Sequence, residues 1–305
     1  MYMAAKSNNE NNNRSLLELA KAQGFIFSKS KGQNFLVDSN IPEKIVRLSG
    51  VDKSYGVLEI GPGLGALTSV LSVAAGHVTA VELDKQLIPV LSERYAGCKN
   101  VSITRGDFLK LDIKELINET MNGLSHHVCA NLPYNITTPV ISKILDLHLF
   151  KSVTIMIQKE VALRICAKPG TSDYGAFTVY VNYHTEPKIL FDVPPECFMP
   201  RPKVTSSVVL MSVREKRLLD IDIEKRLFSI VKAAFGQRRK TLVNALHSVF
   251  GKSFDKNELT GLVAKCGFDT LVRGEALSLE DFITLSVFFH EIAALKEQEQ
   301  SGSIL

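Results

Sequence analysis

The sequence predicts an α/β domain built around a buried parallel sheet, followed by a smaller domain made only of helices. At roughly 100 to 200 residues per domain, a chain of 305 residues corresponds to about two domains. Short apolar runs rich in β-branched residues alternate with helical segments in the first part of the chain, which is typical of a parallel sheet. After residue 213 the strand patterns end and helical periodicity continues. We therefore expect a leader at residues 1–14, an α/β domain at 15–213 and a helical domain at 214–305.

The predicted strands follow one another in a regular order. Five runs are predicted to form the parallel strands, at residues 57–60, 78–82, 101–104, 127–130 and 153–158. Two further strand-like runs, at residues 177–183 and 204–213, are separated by a proline-rich loop and are expected to pair as an antiparallel edge. The leader is polar and asparagine-rich, and we expect it to be disordered.

Composition excludes several classes of protein. Apolar residues make up 45% of the chain and charged residues 22%, a globular balance far from that of disordered chains. No apolar run reaches the roughly 18 residues of a membrane span, and the N-terminus lacks the apolar core of a signal peptide. The five cysteines are at least 31 positions apart, which excludes zinc-ligand spacing and favours reduced thiols. We expect a metal-free, cytoplasmic protein and, without a heptad repeat or a symmetric apolar patch, a monomer.

Positive charge is weak overall but concentrated after the predicted domain boundary. The net charge is +4, whereas residues 214–240 contain nine basic and four acidic residues, a surplus of +5. Arg238, Arg239 and Lys240 are predicted to occupy the first turn of a helix. Cations there oppose the helix dipole by roughly 0.3 to 1 kcal/mol each, so an anionic partner is expected. That partner is RNA phosphate or an acid of the protein such as Glu224; a solvated basic turn is the third interpretation.

A glycine-rich turn follows the first predicted strand, in the sequence EIGPGLGALT at residues 59–68. Gly61 and Gly63 let a ligand approach the backbone closely at the start of a helix. Glu82 ends the next strand, where a carboxylate is expected to bind ribose hydroxyls. These features predict a nucleoside cofactor, but they also satisfy a dinucleotide fingerprint and leave its identity open. Asp107 follows the third strand and either accepts from an adenine amine or caps a helix.

The fourth strand runs into Asn131-Leu132-Pro133-Tyr134, whose residue types suit the recognition of a nucleobase. The Asn131 carboxamide oxygen and a carbonyl held rigid by Pro133 can accept both protons of an exocyclic amine, while Tyr134 stacks on the base. These bonds favour lone-pair density on the amine nitrogen, which can then attack an activated methyl group without a strong base. The alternative interpretation is a turn with a packed tyrosine.

Together with GDF at residues 106–108, these motifs resemble those of the S-adenosylmethionine-dependent adenine N6-methyltransferases. Five further stretches narrow the resemblance to the ribosomal RNA adenine dimethyltransferase family: GQNFL at 32–36, FMPRPKV at 198–204, FGQRRKTL at 235–242, NAL at 244–246 and RGEALS at 273–278. The resemblance covers residues 24–290. The chain departs from the family in its asparagine-rich leader and in YGAFTV at 174–179, where the family more often has YGxLSV.

The resemblance implies a Rossmann-like, seven-stranded class I methyltransferase fold with a small all-helical C-terminal domain. It implies S-adenosylmethionine-dependent N6,N6-dimethylation of two adjacent adenosines near the 3′ end of 16S rRNA in the small ribosomal subunit, with a role in ribosome biogenesis. Asn34 and Leu36 would lie across the cofactor as a flap, and Asp107 would bind its adenine amine. By motif match, the cofactor contacts are Asn34, Leu36, Gly61, Gly63, Glu82, Leu83, Asp107 and Asn131.

On the base side, the resemblance implies that Asn131 and the Leu132 carbonyl hold the target amine. Tyr134 would stack on one face of the base, and Phe198 would support the other. Considered alone, Phe198 is either a core residue or a base wall, meaning an aromatic side chain that supports one face of the target base. Its position among prolines and cations predicts an exposed side chain and favours the base wall. The implied RNA contacts are Arg201, Lys203, Arg238, Arg239 and Lys240.

Four other functions share part of these features. A nicotinamide dehydrogenase would share the glycine-rich loop and Glu82 but has no use for an amine clamp. A DNA adenine methylase would share the clamp and add a separate base-reading region. An erythromycin-resistance-type 23S rRNA adenine methyltransferase would share nearly everything except the PRPK and FGQRRKTL details. A non-catalytic ribosome-assembly factor would have no need for intact Glu82, Asp107 and Asn131.

Overall fold

The computed structural model describes residues 34–237 and 239–302, and these fall into two compact units. The first comprises the described residues up to Ala162 together with Glu186–Val213. The second comprises Leu163–Thr185 and the described residues from Arg214 onward. Leu163–Thr185 therefore lies with the helices of the second unit, whereas the sequence predicts it in the first domain. The predicted leader at residues 1–14 lies outside the described residues.

A seven-stranded sheet forms the centre of the first unit, and a separate two-stranded ribbon accompanies it. The strands are β1 (Phe35–Leu36), β2 (Tyr55–Ile60), β3 (His77–Glu82), β4 (Val101–Arg105), β5 (Ser125–Asn131), β6 (Ser152–Gln158), β7 (Thr185–Val193), β8 (Phe198–Met199) and β9 (Ser206–Val213). The sheet has the order β4–β3–β2–β5–β6–β9–β7. Adjacent strands from β4 to β6 in this order are parallel to each other, and β9 is antiparallel to β6. The five predicted parallel strands are confirmed.

Helices alternate with these strands. They are α1 (Asn40–Ser49), α2 (Ala66–Ala74), α3 (Leu87–Tyr95), α4 (Ile113–Thr120), α5 (Thr137–Asp146) and α6 (Lys159–Ile165), of which α6 begins in the first unit and ends in the second. Ile45 of α1 and Leu71 of α2 share a buried cluster with Val57 and Val78 of the sheet. Strands covered in this way are buried along their length, which is why they read as continuous apolar runs.

The ribbon joins two distant parts of the first unit. β1 and β8 are antiparallel, with Phe35 opposite Met199 and Leu36 opposite Phe198. The predicted cofactor flap is therefore paired with the strand that carries the predicted base wall.

Residues 177–183, predicted as an edge strand, instead form most of a helix, α7 (Ala176–His184). Their alternation of aromatic and β-branched residues favours a strand locally. In the structure, Val179 and Tyr183 are four residues apart on one helix face and both enter the hydrophobic core of the second unit. Tertiary packing therefore overrides the local preference. In the sheet, β9 lies between β6, to which it is antiparallel, and β7.

The second unit is helical, as predicted for its longer part. After α7 it contains α8 (Ile221–Gly236), α9 (Leu242–Phe250), α10 (Lys256–Lys265) and α11 (Leu279–Gly302). Its core draws on all four of these helices as well as on α7, and its fully buried side chains include Leu227, Leu246, Leu259, Phe282 and Phe289. No helix of the described residues is both long and apolar enough to cross a membrane.

Arg239 and Lys240 lie in a turn, so their predicted place in the first turn of a helix is wrong. Thr241 caps α9 through its hydroxyl, which accepts from the Asn244 amide at 3.4 Å. Arg239 and Lys240 precede this cap and are exposed. The threonine determines the helix start because its side chain satisfies an amide that the first turn leaves without a partner. Arg238 lies outside the described residues.

Candidate active site

A cavity of about 460 Å³ opens in the first unit at the carboxyl ends of β2, β3 and β5. Open α/β sheets bind ligands at this edge, where loops leave the parallel strands. Its lining includes the predicted site residues Asn34, Leu36, Gly61, Gly63, Glu82, Leu83, Asn131, Leu132, Pro133 and Tyr134. The structure thus brings together the residues predicted on the cofactor side except Asp107, and those predicted on the base side except Phe198.

The glycine-rich loop forms one wall of this cavity. Gly61, Gly63 and Gly65 have φ angles of 69°, 60° and 81°, a region that disfavours residues with a Cβ atom. At Gly63 a Cβ would also lie 3.0 Å from the Phe35 ring. The loop therefore needs glycine for its backbone conformation and, at Gly63, for space. Its bare backbone is open to close approach by a ligand.

Two residues of α3 hold this loop in place. Arg94 Nη1 donates to the Leu64 carbonyl at 2.9 Å, and the Tyr95 hydroxyl donates to the Gly65 carbonyl at 2.8 Å. Burial raises the pKa of the Tyr95 hydroxyl, which therefore stays protonated and able to donate. No sequence pattern points to either residue, because each contact joins positions 30 apart.

Glu82 is fixed beside the glycine-rich loop. Its Oε2 accepts from the Gly63 amide at 3.1 Å, and its Oε1 accepts from the Asp84 amide at 2.8 Å. Burial raises the pKa of this carboxyl. Both oxygens stay oriented at the cavity wall, as binding of ribose hydroxyls requires. Leu83 follows with 67% of its surface exposed, and its apolar side chain at the cavity edge suits packing on a planar ring.

Glu59 is a second buried carboxyl at the cavity, and it was not predicted as a site residue. Only 1% of its surface is exposed, and none of the described residues provides a hydrogen-bond partner for its Oε2. Burial raises its pKa to about 8. A buried polar atom without a partner at a cavity wall suits a cavity built for a polar ligand. Glu59 is the first residue of the EIGPGLGALT stretch, but only the glycines of that stretch indicate a ligand in the sequence.

Asp107 lies outside the cavity lining, although Arg105 at the end of the same strand contributes to it. Its Oδ1 accepts from the Leu109 amide at 3.0 Å, and its Oδ2 lies 3.8 Å from the Lys110 ammonium. The interpretation that Asp107 caps the next helix is wrong, because Asp112 caps α4. Asp107 instead begins a single turn between β4 and that helix.

The turn after β5 presents its polar groups to the cavity. Asn131 Nδ2 donates to the Asn34 carbonyl of the flap at 3.1 Å. A carboxamide that donates through Nδ2 keeps Oδ1 as an acceptor. The Leu132 amide donates to the Met156 carbonyl at 3.1 Å, which ties the turn to β6. The flap and the sheet thus hold in place the two residues that carry the predicted amine acceptors.

Tyr134 is half-buried, and its hydroxyl lies 2.7 Å from the Ser206 hydroxyl of β9. Ser206 is fully buried. This contact fixes the orientation of the aromatic ring at the cavity. No local pattern predicts it, because 72 positions separate the two residues.

Phe198 is buried, with 2% of its surface exposed, so its predicted exposure is wrong. Its ring joins a core cluster that includes Leu36 and Val208, because the pairing of β8 with β1 covers it. Its assignment as a base wall stays a prediction. Arg201 and Lys203 follow in the chain and are exposed.

The order of the sheet, the glycine-rich loop, the fixed carboxylate of Glu82 beside it and the Asn131 turn at the cavity define an S-adenosylmethionine-dependent methyltransferase of class I. Two observations show that the residues fit this cofactor. The loop has no side chain at Gly63, where a Cβ would meet the Phe35 ring, and the buried carboxyls of Glu82 and Glu59 line the cavity. Among the described residues, no group of three or more His, Cys, Asp or Glu is placed to hold a metal ion.

The chain belongs to the ribosomal RNA adenine dimethylase family, whose sequence profile matches residues 24–285. It is 45% identical over 270 residues to "Ribosomal RNA small subunit methyltransferase A" of Alkaliphilus oremlandii, covering 88% of this chain and 94% of that protein. A crystal structure of a dimethyladenosine transferase from Plasmodium falciparum is similar with a TM-score of 0.73 and 26% identity, over 84% of this chain and 98% of the other. The 23S rRNA methyltransferase ErmE shares the fold, with a TM-score of 0.66 and 24% identity over 84% of this chain and 99% of its own.

Proposed function

We propose that this protein dimethylates N6 of two adjacent adenosines near the 3′ end of 16S rRNA in the small ribosomal subunit, using S-adenosylmethionine. The observation that carries the proposal is the engagement of Asn131 Nδ2 by the Asn34 carbonyl. It leaves Oδ1 of Asn131 as an acceptor, and Leu132 and Tyr134 line the same cavity. Two acceptors and an aromatic face suit the exocyclic amine and the ring of adenine. The name of the Alkaliphilus relative, a small subunit methyltransferase, supports the small subunit as the source of the RNA.

When bound, S-adenosylmethionine supplies an activated methyl group. The chain's own residues bind and orient the partners: Glu82 holds ribose hydroxyls, and Asn34 and Leu36 cover the cofactor as a flap. Asn131 and the Leu132 carbonyl accept both amine protons and so favour lone-pair density on the nitrogen. The nitrogen loses its extra proton after it has gained the methyl group, so no strong base is required. A second round gives the dimethylated amine.

We further infer that the protein works as a cytoplasmic monomer in ribosome biogenesis. Exposed cations at Arg201, Lys203, Arg239 and Lys240 suit contacts with RNA phosphate, which attracts Lys and Arg regardless of base sequence. Arg238 is assigned to the same contact by its place in the sequence.

Transfer of labelled methyl groups tests this function. Purified protein is incubated with labelled S-adenosylmethionine and either unmethylated small-subunit particles or free large-subunit RNA. We expect label in the small-subunit RNA only. Label in free large-subunit RNA would favour the erythromycin-resistance-type activity, and cofactor binding without transfer to either RNA would favour an assembly factor.

A further inference from the structure

The loop between β4 and α4 forms one tight turn that does not continue into the helix. The amides of Lys110 and Leu111 donate to the Asp107 carbonyl at 2.8 and 3.0 Å, which closes the turn. Asp112 then caps α4 and starts a new helix. Because this turn does not continue into α4, the carbonyls of the intervening residues receive no bonds from the amides of a following helical turn. They need other hydrogen-bond donors.

Lys143 of α5 supplies those donors. Its ammonium donates to the carbonyls of Phe108, Leu109 and Leu111 at 2.8, 3.1 and 2.8 Å. An ammonium has three N–H groups, so these three bonds use its full donor capacity. Bonds from a charged donor are stronger than those between neutral groups. The side chain is half-buried and also lies 5.3 Å from the centre of the Phe108 ring.

The bonds from Lys143 are linked to the Asp107 carboxylate through Leu109. Asp107 Oδ1 accepts from the Leu109 amide at 3.0 Å, and the carbonyl of the same Leu109 accepts from Lys143. Gly106, directly before Asp107, donates through its amide to the Glu82 carbonyl at 2.9 Å. Lys143 thus fixes the backbone after Asp107, and Glu82 at the end of β3 fixes the backbone before it. Asp107 is the residue assigned to the cofactor's adenine amine.

The same helix also reaches the base side of the site. α5 begins at Thr137, whose hydroxyl lies 3.3 Å from the carbonyls of Pro133 and of Tyr134. Lys143 lies about two turns further along α5, since a helix has roughly 3.6 residues per turn. One rigid helix therefore connects the amine-binding turn to the Asp107 loop.

We infer that Lys143 is a positioning residue, which fixes the Asp107 loop so that its carboxylate accepts from the 6-amine of the cofactor's adenine. The inference rests on the proposed function, because it takes the role of Asp107 from there. Lys143 is not among the residues that line the cavity, and it acts through the three loop carbonyls.

The test is a pair of binding measurements on the full-length protein by titration calorimetry. The ligands are S-adenosylhomocysteine and its analogue in which hydrogen replaces the 6-amine. Lys143→Met keeps an apolar stem but removes the three donors, and we expect it to bind S-adenosylhomocysteine about tenfold more weakly. Its affinity for the deaminated analogue should equal that of the wild type. Lys114→Met, which removes an exposed lysine of α4, should leave both affinities unchanged.

Two results would overturn the inference: unchanged affinity of Lys143→Met for S-adenosylhomocysteine, or an equal loss for both ligands. The variant Asp107→Ala separates this outcome from a failure of the proposed role of Asp107. If Asp107→Ala itself binds S-adenosylhomocysteine normally, the role of Asp107 is wrong. If Asp107→Ala weakens binding, adding Lys143→Met should weaken it no further. Should Lys143→Met not fold, Lys143→Gln is measured with the same two ligands and the same criteria.

Discussion

At the scale of a single residue, the proposed role of Asn131 separates amine binding from cofactor binding. Asn131→Ala removes an acceptor of the target amine, so we expect the rate of methyl transfer to fall about a hundredfold, from a loss of about 3 kcal/mol in the barrier. Affinity for S-adenosylhomocysteine should be retained, because the side chain's contact on the cofactor side is with the flap carbonyl of Asn34. Single-turnover methylation and calorimetry measure the two quantities. Wild-type turnover would show that the amine-binding assignment is wrong.

Phe198 shows where local sequence context misleads. Prolines and cations around it predict exposure, but the ribbon formed with β1 buries it. We now expect Phe198→Ala to lower the free energy of unfolding by about 3 to 5 kcal/mol, the usual range for a core phenylalanine. Chemical denaturation measures this loss, and an unchanged unfolding midpoint would contradict the core position. Normal specific activity of the folded fraction would in turn contradict the base-wall role.

At the scale of elements, the close packing of Gly274 against α8 in the second unit gives a further prediction. A Cβ at Gly274 would lie 2.6 Å from the Cβ of Ala234 in α8, whereas one at Gly261 in α10 would meet nothing within 4 Å. Gly274→Ala is therefore expected to destabilise the protein by about 1 to 3 kcal/mol. Gly261→Ala, the matched control, should be neutral or stabilising by up to about 1 kcal/mol because alanine favours a helix. Equal unfolding midpoints for the two variants would refute this packing.

The basic turn before α9 is expected to contact RNA phosphate. The combined variant Arg238→Gln, Arg239→Gln and Lys240→Gln should keep its affinity for S-adenosylhomocysteine. The dependence of small-subunit binding on salt should become weaker, with a slope lower by roughly two if all three cations contact phosphates. Filter binding over a range of salt concentrations gives the slope. An unchanged slope would place the cluster outside the RNA interface.

Sequence patterns predicted elements best where the period of apolar residues and their environment agree. The five parallel strands are short runs rich in apolar residues, and β2, β3, β5 and β6 are mostly buried, so pattern and structure coincide. Residues 177–183 have a strand pattern but fold as α7, since their neighbours in the second unit determine the outcome. Of the site, the glycine-rich loop, Glu82 and the Asn131 turn carry motifs. Arg94, Tyr95, Ser206 and Lys143 carry none, because they act through contacts between distant positions.

Two buried groups give the stability of the whole molecule an opposite dependence on pH. Burial lowers the pKa of His127 from 6.5 to about 3, so the unfolded chain binds more protons between these values and stability falls as the solution is acidified through them. Burial raises the pKa of Glu59 from 4.5 to about 8, so the folded protein binds more protons there and stability falls as pH rises through that interval.

These opposite effects can be separated by substitution. Between pH 6.5 and 8, Glu59→Gln should lose less stability than the wild type, because it has no proton to release. Between pH 4.5 and 3, His127→Gln should likewise lose less than the wild type. Denaturant unfolding of both variants at several pH values checks this. Parallel pH profiles of variant and wild type would contradict the role of the substituted group.

The most direct test of the account is to identify the methylated atoms. Unmethylated small-subunit particles are treated with the purified protein and S-adenosylmethionine, and the 16S rRNA is digested and mapped by mass spectrometry. We predict two adjacent N6,N6-dimethyladenosines near the 3′ end with the wild-type protein, and a nearly unmodified site after the same time with Asn131→Ala. Methylation at another atom or another RNA, or equal modification by the variant, would contradict it.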